Sequence, residues 1–341
     1  MYNSKKIINL THKPILSRQI RVSYCANWRT ETAVNNFYMK NLLKSSILTL
    51  LLLTLNLGIA QVNPGENNPI STESYNLYKP DKTEAVLILF GGFPENGEMI
   101  ENEFPITDKA LEEEIAVIYM NFNRKLWLEE SQKADLANNL KVLFETNDLP
   151  KKKIVIGGLS SGGSIALLMG NYLTENSNLN LEPTGVFVVD SPIDLAALYR
   201  ITEDNIKRNF SEASVGESTF IHNYFKSQLG NPNEEIKPYE DFSVFTWETK
   251  NYQNIEDLKN TKLRFYSEPD KEWWKKNMGV EYEQMNAFHI KRLTEFLKDQ
   301  DYKNVEYLTS ENKGYRSNGE RHPHSWSIVN KEDLLEWILE E

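Results

Sequence analysis

Cysteine is nearly absent from this chain: its 341 residues include one, Cys25. That residue lies in an N-terminal stretch that reads as removed, so the remaining protein has neither a thiol nor a disulfide. A domain of this length buries enough surface to hold without a cross-link. An excess of positive charge is also lacking. Against 49 acidic residues stand 38 Lys and Arg, a net charge of −11. No basic footprint is present, which argues against nucleic acid as a partner. Long hydrophobic runs are missing too. The apolar run Ile47 to Leu57 is 11 residues, short of the ~20 that a spanning helix needs. Histidine is scarce: after residue 60 only His222, His289, His322 and His324 remain. No internal repeat is apparent.

What the N-terminus does contain is a signal. Met39-Lys-Asn-Leu-Leu-Lys44 is basic, Ile47 to Leu57 is apolar, and Gly58-Ile-Ala60 puts small residues where a signal peptidase reads them. Residues 39–60 are therefore predicted to be a secretory signal peptide, cleaved between Ala60 and Gln61. No cysteine follows to carry a lipid, so no stable membrane anchor is expected after cleavage and the product is secreted or periplasmic. Signal peptides start at or near the initiator methionine. Met39 thus reads as the true start, and residues 1–38 as an over-extended upstream segment. Cleavage removes eight of the 38 basic residues and one of the 49 acidic ones, leaving a net charge of −18 from residue 61 onward. That charge disfavours anionic substrates.

Residues 61–84 are rich in Asn, Pro, Ser and Glu and read as a polar leader. From Ala85 to Glu341 the chain alternates apolar runs with helical spacing. The runs are Ala85 to Phe90, Ile115 to Met120, Ile154 to Ile156, Gly185 to Val189, Lys262 to Tyr266 and Asn304 to Leu308. In the first four of these the apolarity is continuous rather than alternating, which marks strands buried on both faces of a parallel sheet. Helices are predicted over Thr107–Glu114, Glu130–Thr146, the stretch from Ile165 to about Leu173, Tyr282–Lys298 and Lys331–Glu340. The fold class is α/β, a mostly parallel sheet of about six strands flanked by helices. One connection is far longer than the rest. Residues 192–261 form a helical insert rich in aromatics, expected to lie as a lid over the ligand crevice of the sheet.

The stretch Ile154-Val-Ile-Gly-Gly-Leu-Ser-Ser-Gly-Gly-Ser-Ile-Ala-Leu-Leu-Met169 holds the chemistry. Within it Gly158-Leu-Ser-Ser-Gly162 fits G-x-S-x-G between a strand and a helix. In such a nucleophile elbow a serine sits on a strained turn with its hydroxyl exposed. No lysine follows the second glycine, as a phosphate-binding loop would require. Ser160 is the candidate nucleophile. It needs a base, and a carboxylate to orient that base. The partners of an elbow serine follow it in the order acid, then histidine. His222 lies in the insert and His289 on a helical face, leaving His322 and His324 in the loop after the last strand. His324 is preferred because Pro323 holds His322 extended. A His-x-His metal pair finds no third ligand at suitable spacing, so no metal and no cofactor are expected. For the acid, Asp270 is preferred, with Glu268 and Asp190 as alternates at strand ends. The oxyanion donors would be the N–H of Ser161 and that of Phe93 or Gly92 in the loop after the first run.

With Gly91-Gly92-Phe93, Gly158–Gly162, Asp270 and His324 in this order, residues 85–341 resemble the α/β-hydrolase fold superfamily. The resemblance implies a serine hydrolase of the esterase or lipase kind, with a small-molecule ester or acylated substrate. Little room is left before Ala85 for the family's antiparallel strands, so the sheet is expected to be minimal. The readings this leaves open are a small peptidase of the same fold and a non-catalytic binding protein. The pocket of the latter would be walled by aromatics of the insert with Trp273, Trp274 and Trp326.

Overall fold

The structure, a computed structural model, describes residues 68–122 and 125–340. The upstream segment, the signal peptide and residues 61–67 of the leader lie outside the described residues. Two short strands precede the apolar runs: β1 (Ile70–Ser71) and β2 (Tyr75–Tyr78). They lie in the stretch read as a polar leader and bring the mostly parallel sheet to eight strands, against the about six expected. Their signal was weak for a physical reason. Only Leu77 of β2 is fully buried, and four residues interrupted by Asn76 show no clear period.

The apolar runs form β3 (Ala85–Phe90), β4 (Ile115–Met120), β5 (Ile154–Leu159), β6 (Gly185–Val189), β7 (Lys262–Ser267) and β8 (Val305–Thr309). Every residue of β3, β4, β5 and β6 is buried. The strand order is β1-β2-β4-β3-β5-β6-β7-β8. The β1–β2 and β2–β4 pairs are antiparallel and all the others parallel. Successive side chains point to opposite faces, and both faces are apolar. Ala85, Leu87 and Leu89 enter a layer with α1 (Gly97–Glu103), α2 (Thr107–Glu112) and the last helix, α10 (Lys331–Leu339). Val86, Ile88 and Phe90 enter the other, with α3 (Glu130–Thr146), α4 (Ser161–Glu175) and α9 (Asn286–Asp299). Each fully buried Leu, Ile or Val contributes roughly 1.5–3 kcal/mol relative to exposure, so this three-layer core dominates the stability.

The insert between β6 and β7 forms α5 (Leu195–Arg208), α6 (Glu212–Gln228) and α7 (Lys237–Phe242). These helices enclose a small core of their own, with Tyr199, Phe225 and Tyr239 packed on Trp127. A further helix, α8 (Lys271–Met278), follows β7. From β3 the chain steps outward to β4, then returns to place β5 on the other side of β3. At such a reversal the carboxyl ends of the strands open a crevice. The loops after β3 and β5 meet there.

Candidate active site

Ser160 occupies the turn from β5 into α4 with φ 54° and ψ −129°, a conformation that costs a non-glycine residue strain. Two glycines let the turn close. A β-carbon on Gly158 would lie 2.2 Å from the carbonyl group of Gly162, and one on Gly162 would lie 2.2 Å from the Phe90 carbonyl oxygen. The turn is held by backbone bonds, Ser160 N–H donating to Val189 O at 2.9 Å and Gly163 N–H to Ser160 O at 3.0 Å. α4 begins at Ser161, so its free N–H groups gather beside the serine.

The structure brings His324 to Asp190. The imidazole Nδ1 and Asp190 Oδ2 are 2.6 Å apart, and both side chains are largely shielded from solvent. Nδ1 on the carboxylate leaves Nε2 as the nitrogen free for chemistry. Ser160, Asp190 and His324 line one cleft of about 770 Å³. Asp190 follows β6 directly, its own N–H donating to Tyr266 O at 2.9 Å and its carbonyl accepting from Asn286 Nδ2 at 2.8 Å. The backbone that carries the carboxylate is therefore fixed by β7 and α9.

This pairing corrects the preference for Asp270. Asp270 caps α8, accepting from Trp273 N–H at 2.9 Å, and its other oxygen binds Arg321 Nη2 at 2.7 Å. Its carboxylate is consumed by a helix end and an ion pair. Glu268 is buried and also paired with Arg321, while its second oxygen accepts from Ser310 Oγ, Lys313 N–H and Gly314 N–H. Both carboxylates at the end of β7 thus anchor the loop that carries His324. Gly92 is corrected as well. Its N–H donates to Glu95 Oε2 at 2.8 Å, so it is not free for an oxyanion. Among the described residues the N–H groups of Phe93 and Ser161 have no acceptor. The Gly92 loop does lie against the nucleophile, since a β-carbon on Gly92 would sit 3.1 Å from Ser160 Cβ.

Glu95 carried no sequence signal. It is 7% exposed, lines the cleft, and receives Trp326 Nε1–H at 3.2 Å in addition to Gly92 N–H. Burial pushes its carboxyl above the usual range, and the two donors oppose that shift. Glu95 clamps the Gly92 backbone and leaves Phe93 to present its N–H. Trp326 is fully buried and stacked on Phe104 at 5.0 Å, so it does not wall the cleft.

His322 packs edge-on against Trp273 and Trp274, at 4.8 and 5.8 Å between ring centres. Its Nδ1 accepts from His324 N–H at 3.2 Å, so His322 positions the backbone of the other histidine. The two tryptophans support this ring. Burial, then the neighbouring His324 and Arg316, push the His322 pKa from 6.5 down to about 4. A stability consequence follows. Between pH 6.5 and about 4 the unfolded chain takes up a proton that the folded one refuses, so stability drops as the pH falls through that window. His322→Gln should reduce this acid loss, measured as the difference in urea midpoint between pH 7 and pH 4.5. An equal loss in parent and variant would contradict the assignment. His222 packs at a tilt against Tyr199, 4.5 Å between ring centres, in the insert. His289 lies on α9 with its Nε2 buried. Neither lines the cleft.

The insert supplies one wall of the cleft through Leu198, Ile201, Phe220 and Ile221; Phe93 and Met99 also line it, and the Phe93 ring meets Phe220 at 5.9 Å between centres. Among the described residues no group of three or more His, Cys, Asp or Glu side chains could hold a metal ion. No described helix is long and apolar enough to cross a membrane.

No family model matches the sequence, and no curated protein does either. Solved structures do match. A fluorophosphonate-binding serine hydrolase of Staphylococcus aureus, FphF, is similar at 13% identity and a TM-score of 0.50, covering 78% of this chain and 92% of its own. A structure from a study of two Rhizomucor miehei esterases is similar at 11% identity and a TM-score of 0.50, covering 77% and 78%. The strand order, the position of the serine turn at the sheet reversal and these likenesses agree: the chain has the α/β-hydrolase fold.

Proposed function

We propose that the protein is a serine hydrolase that cleaves an ester through an acyl-enzyme. The observation that carries this is the strained Ser160 turn opening into the cleft that also holds the His324–Asp190 pair. In the forward step His324 Nε2 takes the Ser160 hydroxyl proton as the oxygen attacks the carbonyl carbon. Asp190 holds the ring through Nδ1–H and stabilises the imidazolium. The N–H groups of Phe93 and Ser161 receive the oxyanion, each worth about 3 kcal/mol in the transition state. His324 then returns the proton to the leaving alcohol, and a water repeats the sequence to release the acid. The insert acts as a lid that shelters the acyl group among apolar side chains. Export by the signal in residues 39–60 would place this activity outside the cytoplasm.

The test is hydrolysis of 4-nitrophenyl esters of graded chain length by the full chain. Turnover should fall to background in Ser160→Ala. Turnover that persists in Ser160→Ala would reject this serine as the nucleophile.

A further inference from the structure

Among the described residues the arginines are engaged, with one exception. Arg200 pairs with Glu248, Arg264 with Glu306 and Asp333, and Arg321 with Glu268 and Asp270. Arg208 bonds Asn205 and Gln284, and Arg292 covers the Trp247 ring at 3.3 Å. Arg316 lines the cleft. Among the described residues its guanidinium has neither a carboxylate within ion-pair distance nor a hydrogen-bond acceptor.

Its backbone is firmly placed. Arg316 N–H donates to Glu320 O at 2.8 Å, and Gly319 N–H returns to Arg316 O at 2.9 Å, closing a tight turn. Tyr315 bridges Arg321 across the same hairpin, and Ser317 is tied to Glu103 on α1 by its N–H at 3.0 Å and its Oγ at 2.7 Å. The hairpin is thus pinned at both ends, with the guanidinium left for the cleft.

A second donor lies nearby. His322 is neutral, and its Nδ1 is the acceptor of His324 N–H. The ring proton must therefore sit on Nε2, on a ring that lines the same cleft. The Arg316 charge reaches the buried groups around it: it opposes the rise that burial gives the Glu95 carboxyl and adds to the fall that burial gives the His322 ring. Three carboxylates of the cleft are already taken: Glu95 by Gly92 N–H and Trp326 Nε1–H, Glu268 by Arg321, and Glu103 by Ser317.

We propose that Arg316 and His322 Nε2–H form an oxyanion-binding subsite, so that the preferred substrate is an ester bearing a carboxylate on the part remote from the scissile bond. This rests on the hydrolase reading and reverses, at the level of the cleft, what the net charge of the chain suggests. A strongly acidic protein that hydrolysed only neutral esters would have little use for an unpaired guanidinium in the cleft of its nucleophile. Placed there, it forms a charge-assisted bond with a substrate anion.

Two matched ester pairs test this on the full chain. In one, the acyl side is varied: 4-nitrophenyl hydrogen adipate against 4-nitrophenyl methyl adipate. In the other, the alcohol side is varied: 3-carboxyphenyl butyrate against 3-carbamoylphenyl butyrate. In at least one pair the carboxylate member should be favoured about 10- to 100-fold in kcat/KM, the range of one charged hydrogen bond. Arg316→Gln should bring that ratio to about 1 through KM, and Arg316→Lys should keep part of it. A ratio near 1 in both pairs, or one that Arg316→Gln leaves unchanged, overturns the proposal. A readout independent of turnover keeps it separate from the hydrolase reading. Binding of monomethyl adipate to Ser160→Ala, followed by calorimetry, should weaken at least tenfold on adding Arg316→Gln. Binding that is absent, or indifferent to Arg316, rejects the subsite even if the serine proves active.

Discussion

Asp190→Asn should lower kcat by about 10⁴ while leaving KM within a few-fold. An asparagine in that position offers its amide to Nδ1 and favours the wrong imidazole tautomer, the change that costs about 10⁴ where such a carboxylate has been removed from a serine–histidine pair. Asp270→Asn should behave differently. It keeps the helix cap, since asparagine caps as well as aspartate, and loses the ion pair to Arg321, which costs up to about 1 kcal/mol of stability and less than tenfold in kcat. The two variants, assayed side by side with thermal midpoints recorded, separate the two strand ends. The contrary result, a large kcat loss in Asp270→Asn with Asp190→Asn nearly active, would return the orienting role to the β7 end. It would also leave the 2.6 Å contact at His324 without a function.

The second large effect concerns the turn itself. Gly158→Ala would place a β-carbon 2.2 Å from the Gly162 carbonyl group, and Gly162→Ala one 2.2 Å from Phe90 O. In both cases the obstacle is backbone, packed between β3, β5 and α4, with no flexible side chain to yield. Each change should cost more than about 4 kcal/mol, the range reserved for breaking a structural requirement, and should remove the folded elbow. Gly216→Ala is the control. It lies in α6 with nothing within 4 Å of an added β-carbon, and it should gain up to about 1 kcal/mol by helix propensity. Urea unfolding of the three variants reads this directly. A Gly158→Ala variant as stable as the parent would mean that the elbow is not built as described.

The parts of the fold legible in the sequence were those whose signal is local. Six apolar runs became strands, four of them (β3 to β6) because a strand buried on both faces needs no alternation to be recognised. The predicted helix Glu130–Thr146 matches α3 end to end, since Leu136, Leu140, Leu143 and Phe144 recur at helical spacing. The insert showed itself by its length, its helical pattern and its aromatics. Tyr75–Tyr78 did not show, because one buried side chain in four makes no pattern. The serine was legible for a further reason, that glycine, serine and glycine at fixed spacing encode one backbone geometry.

The acid was not legible in the same way. Asp190, Glu268 and Asp270 all follow apolar runs, and sequence order admits each of them. What separates them is which carboxylate other groups consume. Lys271-Glu-Trp273 after Asp270 is the start of a helix, so a capping role was readable there. The partner that completes the case, Arg321, lies 51 residues away. Gly92 failed as a donor for a similar reason, since only the fold shows Glu95 folding back onto its N–H. Glu95 and Arg316 belong to no motif. Their significance comes from burial beside Ser160 in one case and from the lack of an acid partner in the other, and neither property is written in neighbouring residues.

Intact-mass labelling of the full chain with a fluorophosphonate tests the central claim, an activated Ser160, most directly. Parent protein should gain one adduct, mapped to the peptide containing Ser160, and lose it in Ser160→Ala and in His324→Ala. Folded parent protein that takes up no adduct, or an adduct that persists in Ser160→Ala, would contradict the account.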